Sequence, residues 1–151
     1  MPDLELIDRL VATYRILNHT VRLKSEAELA QGGNSPKTIL RQLRDDELRF
    51  SQELKARLSG QQVEIAESAD EAGMSSADSM DTTNEYIAQF GTARESTLSM
   101  LRILPDDQWD VTGDYPRSVR TEVIGLIDRD RKTLDTIGQM LGEPLTEVAT
   151  A

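Results

Sequence analysis

The chain has 151 residues, 38% hydrophobic and only 4% aromatic, with a formal charge of −10, an isoelectric point near 4.6 and no cysteine. That length suits one domain with one core, which must be built from aliphatic side chains, a bias that favours helix-on-helix packing. The missing cysteine excludes disulfides, thiolate metal sites and cysteine nucleophiles, and the acidity argues against nucleic acid, whose phosphates call for a basic face.

The acidic start Met1-Pro2-Asp3-Leu4-Glu5 lacks the basic and apolar regions of a signal peptide, and no apolar run approaches the roughly 18 residues of a membrane span. A cytoplasmic protein without membrane contact is the expectation. Ile7, Leu10, Tyr14, Leu17 and Val21 recur at steps of three and four, which predicts a first helix over about 3–31, stopped by Gly32-Gly33-Asn34. Ser35-Pro36 reads as N-cap and first helical position of a second helix over 35–59, with Leu40, Leu43, Glu47, Phe50 and Leu54 as its stripe. Residues 61–81 break the periodicity, apart from a possible turn near Val63 to Ser68, and read as a long mobile connection.

A third helix is predicted over 82–104, carrying Phe90, Ala93, Thr97, Leu101 and Leu104 and halted by Pro105-Asp106-Asp107. Ser118 caps a fourth over 118–142, whose stripe is Val119, Val123, Ile127, Asp130, Leu134, Ile137 and Leu141, and Gly142 ends it. No alternating strand pattern competes. The expectation is a single all-α domain, an up-down-up-down four-helix bundle with a long connection between helices two and three.

Two carboxylates interrupt apolar stripes, Glu47 and Asp130, and each needs water, a cation or a partner. Either they sit at a solvated end or pair with arginine, or they line a polar pocket between helices. His19, the only histidine, lies beside its stripe. It has no Glu-x-x-His companion for a di-metal bundle and no nucleophile at triad spacing. Gly32-Gly33-Asn34-Ser35 fits a helix break and cap better than a phosphate cradle. Trp109 is read either as a plug covering one end of the bundle or, with Tyr115, as a wall of a pocket mouth.

Three stretches carry a family resemblance. They are Ser35 to Glu47, Ala93-Arg94 with Thr97-Leu98 through Trp109, and Leu126 to Leu134 extended to Ile137. Together they resemble the second, third and final helices of the DinB-like superfamily, four-helix bundles that include metal-dependent enzymes and thiol-dependent S-transferases. The resemblance spans most of the chain but lacks the family's metal-binding histidines. The helix-two histidine falls on Gln42 and the two helix-four histidines on Arg129 and Thr133, while Asp130 keeps the family's Asp. An amide, a permanent cation and a hydroxyl do not replace three imidazoles, and a guanidinium repels a divalent cation. The reading is therefore a degenerate metal site with no cofactor.

Arg129 at that position suggests a substitute, a pair with Glu47 that replaces the metal as counter-charge between helices two and four. The resemblance implies a non-catalytic, homodimerising or small-ligand-binding protein. The alternative is an enzyme of the family's thiol-transferase or hydrolase type with a metal-free pocket of Arg129, Glu47 and Asp130, acting on a small anionic or thiol-bearing compound.

Overall fold

The computed structural model describes residues 3–60 and 81–146, and every regular element among them is helical. The long helices are α1 (Leu4–His19), α3 (Pro36–Ser59), α4 (Thr83–Ile103) and α5 (Val119–Leu141), with a single-turn α2 (Glu26–Leu29) between the first two. No helix among the described residues is long and apolar enough to cross a membrane.

The caps explain most boundaries. Ser35, Thr82 and Ser118 each accept the amide three residues on, at 3.4, 3.2 and 3.2 Å, which satisfies a donor the helix itself cannot. Gly60 and Gly142, at φ of 69° and 74°, close α3 and α5 in the left-handed conformation a side chain resists. The expected second, third and fourth helices thus appear within a residue of their forecast ends.

The first helix does not. Instead of running to residue 31 it stops at His19, followed by a 3₁₀ turn at Val21–Leu23 and then α2. Thr20 and Val21 are both β-branched, and the Thr20 hydroxyl turns back to the Ile16 carbonyl at 2.6 Å. Ser25 then caps a new turn by accepting from the Glu28 amide at 3.2 Å, the Ser-x-x-Glu start signal hidden inside the forecast helix. The break serves the fold. Glu26 reaches Lys37 at 2.8 Å and accepts the amide of Thr83 at 2.9 Å, so α2 ties the start of α3 to the start of α4.

That tie exposes a second departure. Arg44 meets Gln89, Glu47 meets Arg94 and Ser51 meets Ser96, so residue numbers rise together along α3 and α4. The two helices are parallel, not antiparallel. Against them, Leu10 faces Arg94 and the Tyr14 ring lies against Gly91, while Asp3 pairs with Arg120 and Thr13 with Asp130, which sets α1 antiparallel to α4 and parallel to α5. The order of directions is up-down-down-up, in place of the expected strict alternation. Short connections force neighbours to run antiparallel, but a long one releases that constraint. Gly60 and Thr83 lie at opposite ends of α3, a helix of 24 residues and about 36 Å. The forecast mobile connection, and the turn near Val63 to Ser68, fall almost wholly on 61–80, outside the described residues.

The core has two apolar halves. Ile7, Leu54, Leu98, Leu101, Trp109 and Val123 pack one; Leu17, Leu40, Ile87, Phe90, Leu134 and Ile137 pack the other. Between them lies a polar layer.

Beyond α5 the chain folds back on its last turn, where the Glu143 amide donates to the Gly138 carbonyl at 3.0 Å. A methyl group on Gly138 would come within 2.8 Å of the Glu143 carbonyl oxygen. Gly138→Ala is therefore expected to lower stability by roughly 1–3 kcal/mol in urea unfolding through overpacking, although alanine favours helix by about 1 kcal/mol. A stabilised variant would show that this turn does not pack as described.

Candidate functional site: a buried charge cluster at mid-bundle

The polar layer is organised by Arg94, a residue that the periodicity does not single out and that entered only through the family resemblance. It lies one position beyond Ala93 on the α4 stripe, and its side chain is 1% exposed. Nη1 donates to the Leu10 carbonyl at 2.7 Å and to Asp130 Oδ2 at 2.9 Å. Nη2 donates to Glu47 Oε1 at 2.9 Å and to Asp130 Oδ1 at 3.2 Å. A planar guanidinium suits this task because its fork presents several donors in fixed directions. The aromatic face of Phe90 covers it, with the ring centroid 4.8 Å away. One side chain therefore touches all four long helices.

Glu47 and Asp130 are likewise removed from water. Asp130 also receives the Thr13 hydroxyl at 2.7 Å. Arg129 approaches from the outside, its Nη2 3.1 Å from Glu47 Oε1 and 3.2 Å from Asp130 Oδ1, while its side chain stays 26% exposed. The expected Arg129–Glu47 contact thus exists, but as the outer member of a four-charge set whose formal sum is zero. Of the two readings of the carboxylates, pairing with arginine in the interior describes their surroundings, and neither sits at a solvated end.

Burial pushes the Glu47 carboxyl up. The Arg94 guanidinium, by charge and by hydrogen bond, and then Arg129 outweigh that and hold it below the ordinary glutamate value. Burial likewise disfavours the Arg94 cation, but Glu47 and Asp130 more than offset it and raise its pKa further. Glu47 and Arg94 are thereby kept as ions in a low-dielectric layer, an arrangement tolerable only with near-complete pairing. Pairing is not quite complete. Glu47 Oε2 and the Nε atoms of Arg94 and Arg129 have no hydrogen-bond partner among the described residues. The neighbouring Thr97 commits its single proton to the Ala93 carbonyl at 3.3 Å.

The other candidates scatter. Gln42 is exposed on α3 and donates to Asp46 at 2.8 Å, so it does not join the cluster. Thr133 lines a shallow groove between α3 and α5 with Ile39, Arg129, Lys132 and Thr136. His19 is exposed at the end of α1, six residues past Thr13. Trp109 is wholly buried among Ile7, Leu54 and Val123, with its indole N–H on the Leu104 carbonyl at 3.3 Å. It is the plug of one end and not a pocket wall. Tyr115 is exposed and lines a different cleft, beneath the Arg57 guanidinium at 4.4 Å.

This geometry does not fit a metal ion of the kind the DinB-like resemblance implies. No group of three His, Asp or Glu side chains among the described residues converges on one point. Glu47 Oε1 and both oxygens of Asp130 are already engaged by guanidinium groups, and a divalent ion there would face two permanent cations. Nor can the carboxylates act on a substrate where they stand, since neither is open to one.

The class defined so far is an all-α helical bundle with a neutralised ion cluster at its centre. No family model, curated protein or solved structure matches the chain.

Arg94→Ala leaves two buried carboxylates with only the outer, partly exposed Arg129 to hold them and is expected to cost roughly 3–5 kcal/mol in urea unfolding. Arg129→Ala leaves both still held by Arg94 and should cost only about 1–2 kcal/mol; equal losses would contradict the hierarchy. For pH, a carboxyl held below its unfolded value contributes stability that is complete above that value, near 4.5 for glutamate, and is lost as pH falls through the lower folded value. Urea midpoints should therefore decline below about pH 4.5, and Glu47→Gln, less stable at neutral pH, should show a shallower acid decline. An unchanged slope would remove Glu47 as its source.

Proposed function

We propose that this chain is a DinB-like bundle whose metal site has been exchanged for an internal ion cluster, and that it works as a non-catalytic homodimerising or small-ligand-binding protein. The observation that carries this reading is the closure of the centre: Glu47, Asp130 and Arg94 are buried and mutually paired where an enzyme would need an open cleft. The up-down-down-up order with one long crossover is a known variant of four-helix bundles and is compatible with it. The residues standing where the resemblance puts metal ligands support it further, since Gln42 faces solvent and Arg129 brings a positive charge.

A second reading, an enzyme of the thiol-transferase or hydrolase type, draws on one feature. Arg129 reaches from the cluster to the surface beside Lys132 and Thr133, where a small anionic or thiol-bearing compound could meet it. In that reading Arg129 is an anion clamp, and Glu47 or Asp130 would need a rearrangement before serving as a base.

Metal analysis by plasma mass spectrometry on untagged protein is the discriminating measurement. The expected content is below about a tenth of an equivalent of any transition metal, with no increase after incubation with zinc, nickel or iron. Near-stoichiometric metal would overturn the exchange. Sedimentation equilibrium should report a dimer; a monomer at all concentrations would remove the dimerising half and leave ligand binding.

A further inference from the structure

A second recess lies away from the cluster, between the C-terminal half of α3 and the start of α5. Phe50, Leu54, Pro116 and Val119 line it and Tyr115 walls it. Its volume is about 220 Å³, and it is better enclosed and more apolar than the Arg129 groove. Glu53, its nearer acid, is six residues beyond Glu47, or about 9 Å further along α3. The two sites are therefore separate.

The polar groups at its rim are unequal. Glu53 is exposed and has no hydrogen-bond or ion-pair partner among the described residues. Among the described residues Glu122 meets only Arg117, at 3.7 Å, with its own side chain 34% exposed. Arg57, the one cation of the lining among the described residues, is already engaged. It donates to the Val111 carbonyl at 2.9 Å and lies over the Tyr115 ring at 4.4 Å. The rim thus offers two carboxylates with capacity to spare and an electron-rich ring that already holds one cation, in a chain with a formal charge of −10. Apolar walls, aromatic rings and incompletely engaged carboxylates together select an organic cation. Its hydrocarbon body displaces water from Phe50, Leu54 and Val119, while its ammonium head takes the acids.

The surroundings point the same way. Leu4, Leu58, Ile103, Val111 and Tyr115, most of the large exposed apolar side chains among the described residues, belong to the end of the bundle where α1 and α5 begin and α3 and α4 finish. The residues that line the cleft lie toward that end. The opposite end contributes only Leu23.

We infer that the cleft between Phe50, Glu53, Tyr115 and Glu122 is a binding site for a small organic cation, an amine or quaternary ammonium carrying an aromatic or aliphatic body. This deepens the ligand-binding reading and rests on it, but does not depend on the fate of the metal site.

The test uses the full-length protein and three probes of matched shape: phenethylammonium, neutral 2-phenylethanol and anionic 3-phenylpropionate. Amide-resolved NMR titration should place the phenethylammonium shifts on Phe50, Glu53, Tyr115 and Val119, with an affinity about tenfold above that of 2-phenylethanol. Glu53→Gln combined with Glu122→Gln, isosteric changes at one exposed and one half-buried rim position, should erase that preference while keeping residual binding of the neutral probe. Equal affinity for all three probes, or no shift in the cleft at millimolar phenethylammonium, would overturn the inference. Binding of 3-phenylpropionate alone, with shifts around Arg129 and Thr133, would overturn it too while leaving the ligand-binding reading standing. No binding of any probe would count against both.

Discussion

The architecture turns on one guanidinium. Arg94 enters the bundle from α4 and, within 3.2 Å, holds a carboxylate of α3, a carboxylate of α5 and a backbone carbonyl of α1. A hydrophobic core is tolerant of register, because one leucine substitutes for another when a helix slides by a turn. A fork of donors is not: moving α3 or α5 by one turn, about 5.4 Å, would leave a buried charge without its partner. The cluster therefore contributes more to the choice of one packing over its neighbours than to net stability, since an apolar layer of the same volume would hold the helices about as well. Its place between two apolar halves lets it act as the registration point for both.

The parallel course of α3 and α4 follows the same logic on a larger scale. A carboxylate on α3 and a cation on α4 had to meet at mid-length in either direction, so charge pairing alone does not set polarity. The ties at the two ends of the bundle, in contrast, have a direction. Glu26 joins the beginnings of α3 and α4 through Lys37 and the Thr83 amide. At the other end, Arg120 links Asp3 and Asp110 and lies over the Trp109 ring at 5.5 Å, which fixes α5 beside α1. These end ties are partly exposed and individually modest. Their value is directional, because each is available in only one orientation of the helices.

Chemistry and structure are separated in this molecule. The residues with the strongest electrostatic character occupy the interior and satisfy one another. The groups with capacity left over, Glu53 and Glu122 beside Tyr115, stand at a surface recess lined by apolar side chains. Buried pairing in a bundle centre is a structural signature, whereas incompletely engaged charges beside an apolar hollow are the signature of recognition.

Helices, caps and buried faces are written locally in the chain. Ser35-Pro36, Thr82, Ser118, Gly60 and Gly142 are signals of this kind, and backbone chemistry is read over three or four residues whatever the fold. Glu47 and Asp130 were legible as interior charges, since a carboxylate set on an apolar stripe is carried into the core with it. Arg94 was legible only indirectly: two interior carboxylates require a cation, and the neighbour of Ala93 on the α4 stripe was available to supply it. The Arg129–Glu47 contact was legible and is present, but the place of the inner cation, Arg94, was not, because spacing tells which face a residue occupies and not how deep its side chain reaches. The break at Thr20 was missed because five apolar residues in helical register outweighed the Ser25–Glu28 cap that follows. The direction of α4, the choice between the two readings of Trp109 and the location of the Tyr115 cleft came from the folded molecule alone. Each depends on which elements meet across the bundle, and that is settled by long-range packing, not by any window of the chain.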